Sequence, residues 1–227
     1  MIAQNVENIR HRIADACNRA DRDSGEITLI AVTKMVGSDI IREVVAAGVF
    51  DLGENYVQQI CDKRAGFGDD RIRWHFIGHL QTNKVKYIAD WISMVHSVDS
   101  LNLGRELSKR MARCKRTLPV LIEVNTSGEE SKFGVDVGSA PDLLRELKDL
   151  PNISVKGLMT MAPLAADPEE SRPTFARLRQ LRDTLQAQGI QLPVLSMGMT
   201  NDFEVAIEEG ATIVRIGTAI FGDRHYT

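Results

Sequence analysis

The sequence is poor in cysteine, in aromatic residues and in long apolar runs. Its 227 residues include three cysteines, and Cys17, Cys61 and Cys114 match neither metal-ligand spacing nor a disulfide framework. They predict inert thiols in a reducing compartment. No apolar stretch is long enough to span a bilayer, and residues 1–12 are polar and lack the apolar core of a signal peptide. These absences predict a cytoplasmic protein that holds no metal and has no membrane partner.

An excess of positive charge is also missing. The formal net charge is -3, which offers no attractive field to nucleic acid or to an anionic lipid surface. Hydrophobic residues make up 43% and charged residues 26%, the balance of an ordinary globular protein. We therefore expect no nucleic-acid partner and look for a small molecule instead.

What the sequence does contain is a regular alternation of strand-like and helix-like segments, with no linker to divide it. After a leading helix over Met1–Ala20, the predicted strands are Ile27–Thr33, Phe50–Gly53, Ile72–Ile77, Ile92–Val98, Leu118–Asn125, Ile153–Thr160, Leu192–Leu195 and Thr212–Ile216. The predicted helices between and after them are Ser38–Ala47, Tyr56–Lys63, Thr82–Ala89, Leu101–Arg113, Ala140–Leu147, Arg172–Gln188 and Asp202–Glu209. About eight strand–helix units predict one α/β domain over 1–227, a (β/α)8 TIM barrel with an extra N-terminal helix.

The alternative architecture is a doubly wound open sheet that binds a dinucleotide. That fold usually has a Gly-x-Gly-x-x-Gly turn after its first strand. Here the turn reads Lys34-Met35-Val36-Gly37, so the barrel is favoured and a dinucleotide is not expected.

Lys34 stands where the first predicted strand ends. In a barrel the carboxyl ends of all strands open on one face, and the chemistry is done there. An amine partly withdrawn from water at such a place is a Schiff-base nucleophile. A single strand-end lysine is more often a solvated charge, and it is two glycine-containing turns near the other end of the chain that favour a functional role.

These turns follow the seventh and eighth predicted strands, whose loops commonly form the phosphate site of a barrel. Their glycines and hydroxyl residues are Ser196, Gly198, Thr200, Gly217 and Thr218. The glycines let backbone N–H groups approach an anion, and each turn leads into a helix whose N-terminus favours phosphate. Either turn alone is more often a capped tight turn, but two adjacent turns facing a lysine predict a phosphate-binding cup.

A phosphate cup beside an amine suggests a phosphorylated aldehyde held as an imine, and pyridoxal phosphate fits that description. Arg215 supports this interpretation, because a guanidinium beside the pyridine nitrogen would keep that nitrogen unprotonated and make the ring a weak electron sink. The alternative role for Arg215 is an ion pair with a glutamate of the barrel.

Other polar residues give weaker signals. His75, His79 and His96 lie at strand ends or in loops, but their spacing is not that of a metal site, so structural roles are predicted. Lys132, in the loop after the fifth strand, is either a second amine or a solvated charge.

Five motifs in this order resemble those of the YggS/PROSC family of pyridoxal phosphate homeostasis proteins. They are Ala31-Val32-Thr33-Lys34, Gly53-Glu54-Asn55, His75-Phe76-Ile77-Gly78-His79-Leu80-Gln81-Thr82-Asn83-Lys84, Ser196-Met197-Gly198-Met199 and Arg215-Ile216-Gly217-Thr218-Ala219-Ile220-Phe221-Gly222. The resemblance implies a barrel similar to the N-terminal domain of alanine racemase, with pyridoxal phosphate on Lys34 as an internal aldimine. It places Asn55 and Arg215 near the ring, and the implied binding residues also include Ser196, Met197, Gly198, Thr200, Gly217 and Thr218. Thr200 stands where many members have serine, so the hydroxyl is kept.

The resemblance also implies a function in vitamin B6 homeostasis without substantial turnover, and no catalytic residue is assigned. Alanine racemase has a second domain that supplies a catalytic tyrosine and much of its dimer contact. This sequence has no counterpart of it, so we expect a monomer, with PLP-dependent apoenzymes as candidate recipients. Two alternatives stay open: a PLP-dependent amino-acid racemase with Lys34 as base, and a class I aldolase that forms its Schiff base with a sugar phosphate.

Overall fold

The strands of the chain close into a parallel barrel. A computed structural model describes residues 1–129 and 132–222, so residues 130–131 and 223–227 of the predicted domain lie outside the described part. The strands are β1 (Thr28–Val32), β2 (Asp51–Glu54), β3 (Arg73–Phe76), β4 (Met94–Val98), β5 (Leu118–Asn125), β6 (Val135–Asp136), β7 (Ile153–Met159), β8 (Val194–Ser196) and β9 (Ile213–Ile216). Neighbours follow the order β4-β3-β2-β1-β9-β8-β7-β5, and a β4–β5 pairing closes the ring. The two-residue β6, which the sequence did not predict, pairs with β5.

Helices surround this barrel. They are α1 (Ile2–Arg19), α2 (Ser38–Ala46), α3 (Val57–Ala65), α4 (Leu101–Cys114), α5 (Ala140–Lys148), α6 (Arg172–Ala187), α7 (Phe203–Glu208) and α8 (Thr218–Phe221). Short 3-10 helices cover Ser24–Glu26, Thr82–Tyr87 and Pro168–Ser171, so the helix predicted over Thr82–Ala89 is a 3-10 helix. The additional helix α1 packs against α2, α7 and α8. The predicted fold class, a (β/α)8 barrel with an extra N-terminal helix, is therefore confirmed.

The strands separate two buried layers, because successive side chains of a strand point to opposite faces. The larger layer lies between strands and helices and includes Ala31, Leu52 and Val214. The inner layer includes Ile30 and Ile77, whose side chains meet beside Gly53. Several polar side chains are also buried, and they include Asp51, His75, His96, Glu123, Ser196 and Arg215.

None of the helices in the described part of the chain combines the length and the apolar character that crossing a bilayer requires.

Candidate functional site

A pocket of about 220 Å³ opens among the residues that follow the carboxyl ends of β1, β7, β8 and β9. Its lining is Val32, Lys34, Pro163, Leu164, Ala165, Pro168, Ser171, Met199, Thr200, Asn201, Asp202, Arg215, Gly217 and Thr218. Five residues singled out from the sequence therefore meet in one pocket: Lys34, Thr200, Arg215, Gly217 and Thr218. The register explains this meeting, because β1 pairs with β9 through Ala31 and Ile216, just before Lys34 and Gly217.

A buried cluster holds the strand end that carries Lys34. The fully buried Glu54 accepts hydrogen bonds from the Thr33 hydroxyl at 3.0 Å, the Lys63 ammonium at 2.6 Å and the Asn55 backbone N–H at 3.1 Å. Lys63 also donates to the Thr33 carbonyl at 2.6 Å. The backbone before Lys34 and before Asn55 is thus fixed by one carboxylate. The sequence did not single out Glu54 or Lys63 for this role.

The turn after Lys34 is also constrained. Met35 has a φ of 59°, the left-handed region that side-chain-bearing residues rarely occupy. Its N–H donates to Gln59 Oε1 at 3.1 Å, which ties the turn to α3. Strained conformations of this kind cluster at functional sites, and here the turn leaves Lys34 half-buried in the pocket wall.

Asn55 lies beside Lys34, because β1 and β2 pair through Val32 and Gly53, two residues before each. It lines a separate cavity of about 600 Å³ that also has Tyr56, His79 and Lys84 in its wall. Asn55 Oδ1 is buried and has no hydrogen-bond partner among the described residues. A buried amide oxygen of this kind costs free energy until a donor reaches it, so Asn55 is suited to a ligand that carries one.

Arg215 forms the inner wall of the pocket and is 3% exposed. It donates from Nη1 to Ser196 Oγ at 2.7 Å and from Nη2 to the Thr160 carbonyl at 2.9 Å. Burial lowers the pKa of its guanidinium to about 10, against the opposing effect of Glu123 and Asp202, so Arg215 remains a cation at neutral pH. Its hydrogen-bond partners are neutral oxygens, and no ion pair of Arg215 with a glutamate is present among the described residues.

The turns after β8 and β9 are tied to each other. The Ala219 N–H donates to Thr200 Oγ1 at 3.3 Å, and the Met199 N–H donates to Asp202 Oδ1 at 2.6 Å. Asp202 Oδ2 also accepts from the Ser171 hydroxyl at 3.2 Å. Burial raises the pKa of Asp202, and these hydrogen bonds offset part of that rise. The carboxyl group is therefore occupied in holding the loop.

Besides Asn55, three more of the predicted site residues do not line the pocket. Ser196 is buried inside the barrel, and its hydroxyl group contacts Arg215 and His96. Met197 packs in the layer between strands and helices, and its N–H donates to the Ile213 carbonyl at 3.1 Å.

The third of these residues, Gly198, has a φ of 92°, and a Cβ built on it would lie 2.6 Å from the Cβ of Ala206. Its need for glycine is thus explained by close packing on α7.

Two histidines that the sequence suggested were structural lie in the barrel interior. His75 contacts His96 at 3.0 Å, and His96 contacts Ser196 Oγ at 3.0 Å. Burial lowers the pKa of His96 well below its ordinary value, and the nearby His75 and Arg215 side chains act in the same direction. Among the described residues, no group of three or more His, Cys, Asp or Glu side chains is arranged to hold a metal ion.

Glu123 is a further buried acid in the barrel. Burial raises its pKa to about 7, with a smaller contribution from Asp99, while Arg215 acts in the opposite direction. Lys132 Nζ lies 3.5 Å from the Met161 carbonyl in the wall of a small cavity shared with Glu123. Lys132 is thus only half-solvated, and it does not line the pocket of Lys34.

Comparison with known proteins gives consistent results. Residues 4–225 match the family described as alanine racemase, N-terminal domain. A pyridoxal phosphate homeostasis protein of Aquifex aeolicus is 46% identical over 98% of both chains, and one of Pseudomonas aeruginosa is 43% identical over 99% of this chain and 96% of that one. The structure of PipY from Synechococcus elongatus with PLP bound has a TM-score of 0.86 at 32% identity, covering 98% of this chain and all of that one. The chain belongs to the pyridoxal phosphate homeostasis family, whose barrel is that of the alanine racemase N-terminal domain.

Proposed function

We propose that this chain binds pyridoxal phosphate in the pocket of Lys34 and serves vitamin B6 homeostasis without substantial catalytic turnover. The observation that carries the proposal is the convergence of the Lys34 amine, the Arg215 guanidinium and the hydroxyl residues Thr200 and Thr218 on one pocket. The relatives named for pyridoxal phosphate homeostasis and the PLP-bound PipY structure support it.

The residues present fit this cofactor. Lys34 offers the amine, and the cofactor, when bound, would supply an aldehyde group that this amine can attack. Thr200, Gly217 and Thr218 are suited to the phosphate, because two hydroxyl groups and the backbone N–H groups of Gly217 and Thr218 are donors in the pocket lining. Arg215 is suited to the ring nitrogen as a fixed cation that has no proton to give at neutral pH.

The remaining predicted residues contribute around this pocket. Asn55 follows β2 and would approach the ring from that side, where its buried and unpartnered amide oxygen needs a donor. Ser196 acts through Arg215, and Met197 and Gly198 anchor the turn that carries Thr200.

Low turnover follows from the same geometry. Proton transfer at a substrate carbon needs side chains free to take and release protons. In the pocket lining Asp202 is held by Met199 and Ser171, and Arg215 leaves the ring a weak electron sink. Lys34 is then the group best placed to move a proton, which suits a protein that holds its cofactor and releases it.

Reductive trapping tests the site. Borohydride treatment of the protein with pyridoxal phosphate, followed by peptide mass spectrometry, is expected to place a phosphopyridoxyl group on Lys34. Lys63 is the internal control, because its ammonium is buried between Glu54 and the Thr33 carbonyl and should stay unlabelled. Lys34→Ala should lose the label and keep its circular dichroism spectrum. A label found mainly on Lys132 or Lys63 would show that the pocket is assigned wrongly.

We extend the proposal to a monomer in the cytoplasm, with PLP-dependent apoenzymes as recipients. Cys17, Cys61 and Cys114 are free thiols, and burial raises the pKa of Cys17 and Cys61, which keeps both inert at neutral pH. Light scattering after size-exclusion chromatography should give a mass near 25.2 kDa. Transfer to an apoenzyme is tested by adding the loaded protein to one and following its reactivation against free cofactor.

A further inference from the structure

A continuous chain of hydrogen bonds crosses the barrel interior beneath the pocket. Asp51 Oδ1 lies 2.9 Å from His75 Nε2, and His75 Nδ1 lies 3.0 Å from His96 Nε2. His96 Nδ1 lies 3.0 Å from Ser196 Oγ, which accepts from Arg215 Nη1 at 2.7 Å. The five side chains are all buried, so each depends on its neighbours in the chain for hydrogen bonding.

The hydrogen bonds of this series all run in one direction. The Arg215 guanidinium can only donate, so the Ser196 hydroxyl hydrogen has His96 Nδ1 as its acceptor among the described residues. His96 is neutral, because burial lowers its pKa well below the ordinary value, and its single N–H is then assigned to Nε2. The His96 Nε2–H then donates to His75 Nδ1, and the His75 Nε2–H donates to the Asp51 carboxylate. Every donor in the chain points away from Arg215 and towards Asp51.

The two ends of this hydrogen-bond series, Arg215 and Asp51, lie at opposite mouths of the barrel. Arg215 lines the pocket at the carboxyl ends of the strands. Asp51 and His75 line a cavity of about 710 Å³ among the first residues of the strands, together with Arg73. Burial favours the neutral form of Asp51, but the hydrogen bonds from His75 and Arg73 outweigh this effect and lower the pKa. The hydrogen-bond series therefore ends at a carboxylate.

We propose that Asp51 is a positioning residue for Arg215, acting across the barrel through His75, His96 and Ser196. The carboxylate fixes both histidine tautomers, these fix the orientation of the Ser196 hydroxyl, and that oxygen holds the guanidinium against the pocket. We call these five hydrogen-bonded side chains the relay. The identity of the ligand that Arg215 faces rests on the proposed function, whereas the relay itself is a property of the cofactor-free protein.

The cofactor-free protein gives the first test. Long-range nitrogen–proton correlation spectra should show neutral His75 and His96, both with the hydrogen on Nε2. Asp51→Leu removes the acceptor and should change the tautomer of at least one histidine and shift the Arg215 Nε–H signal, which is assigned by its loss in Arg215→Lys. Asp51→Asn keeps an oxygen acceptor and should preserve the pattern. Arg73→Ala is the matched control, because it removes the other partner of the same carboxylate and leaves the relay whole.

Cofactor binding gives the second test. Asp51→Leu should weaken binding of pyridoxal phosphate roughly five- to tenfold, the effect of loosening one hydrogen-bonded group, and change the absorption spectrum of the bound cofactor. Asp51→Asn and Arg73→Ala should stay within roughly twofold of wild type.

A wild-type spectrum with hydrogen on His96 Nδ1, or with His96 protonated, would overturn the relay even if Asp51→Leu does not fold. An unchanged Arg215 signal and unchanged binding in a folded Asp51→Leu would overturn it too. If the wild-type protein binds no pyridoxal phosphate but the tautomers and the Arg215 shift are as expected, the proposed function fails and the relay stands.

Discussion

Glu123 carries a carboxyl group into the barrel with one oxygen, Oε2, that has no hydrogen-bond partner among the described residues. Arg215 is near enough to influence its titration, yet burial dominates and the pKa rises to about 7. Neighbouring polar residues inside one barrel are thus held in different charge states: Arg215 is cationic, His96 neutral and Glu123 half-protonated near neutral pH.

Glu123→Gln should alter the pH dependence of stability. The unfolded chain ionises Glu123 near the ordinary glutamate pKa of 4.5, whereas the folded protein keeps the proton until about pH 7. The folded state therefore binds more protons in this window, and wild-type stability falls as pH rises from about 4.5 to 7. The cofactor-free variant should lack this fall and gain up to about 3 kcal/mol relative to wild type at pH 8 compared with pH 4.

Urea unfolding across this pH range measures the effect. Glu146→Gln, at an exposed position on α5, is the control and should change the free energy of unfolding by the same amount at pH 4 and at pH 8. A relative stability of Glu123→Gln that does not change with pH would show that Glu123 ionises normally in the folded protein.

Thr200 and Ser196 should respond differently to removal of their hydroxyl groups. Thr200→Val deletes a donor at the pocket wall. It should weaken binding of pyridoxal phosphate roughly 10- to 100-fold and leave binding of pyridoxal without phosphate almost unchanged. Ser196→Ala removes the acceptor of Arg215, which we propose to lie beside the ring nitrogen, and should weaken binding of both compounds by similar factors. Fluorescence titration with the two compounds distinguishes these patterns, and equal losses for both compounds in Thr200→Val would contradict the phosphate assignment.

At the scale of elements, the pocket depends on short turns that join β8 and β9 to the following helices. The turn after β8 packs so closely on α7 that Gly198 has no room for a side chain. The same turn carries Thr200, which accepts the Ala219 N–H at the start of α8. Packing of α7 and placement of the hydroxyl group are therefore linked through one backbone segment.

Gly198→Ala should destabilise the protein far more than Gly189→Ala. Both glycines have left-handed backbones, with φ of 92° and 85°, so both substitutions carry a conformational cost of about 1 kcal/mol. At Gly198 the new Cβ would also lie 2.9 Å from the Phe203 Cα, whereas nothing lies within 4 Å at Gly189. We expect a loss of about 3 kcal/mol or more for Gly198→Ala. Similar midpoints of urea unfolding for the two variants would contradict this account of the turn.

At the scale of the whole molecule, the barrel holds a polar interior inside an apolar shell. The layer between strands and helices carries the hydrophobic core, while the interior contains the relay from Asp51 to Arg215. The side chains that form the hydrophobic core and those that hold the pocket residues thus lie largely on opposite faces of the same strands.

The loaded protein should be nearly silent towards free amino acids. In the proposed site Arg215 would leave the ring a weak electron sink, and Asp202 is engaged in the loop, so rapid exchange at a substrate carbon is not expected. Incubation with either enantiomer of alanine, serine or glutamate should give trace racemisation, with similarly slow deuterium exchange at Cα. Turnover at roughly 1–10³ s⁻¹ that disappears in Lys34→Ala would restore the racemase alternative.

The sequence by itself determined the succession of strands and helices, because apolar periodicity and the residues that begin and end these elements are local properties. It also determined which residues follow the strand ends, and parallel strands bring those ends to one face. For that reason Lys34, Thr200, Arg215, Gly217 and Thr218 could be predicted to meet.

Only the tertiary structure decided which side chains point inwards, because that depends on register and barrel closure, and neighbouring residues of a strand face opposite sides. Ser196 and Met197 are adjacent, yet one lies in the interior relay and the other in the outer core. The contact of His75 with His96 and the link from Asp51 to Arg215 exist only once the ring has closed.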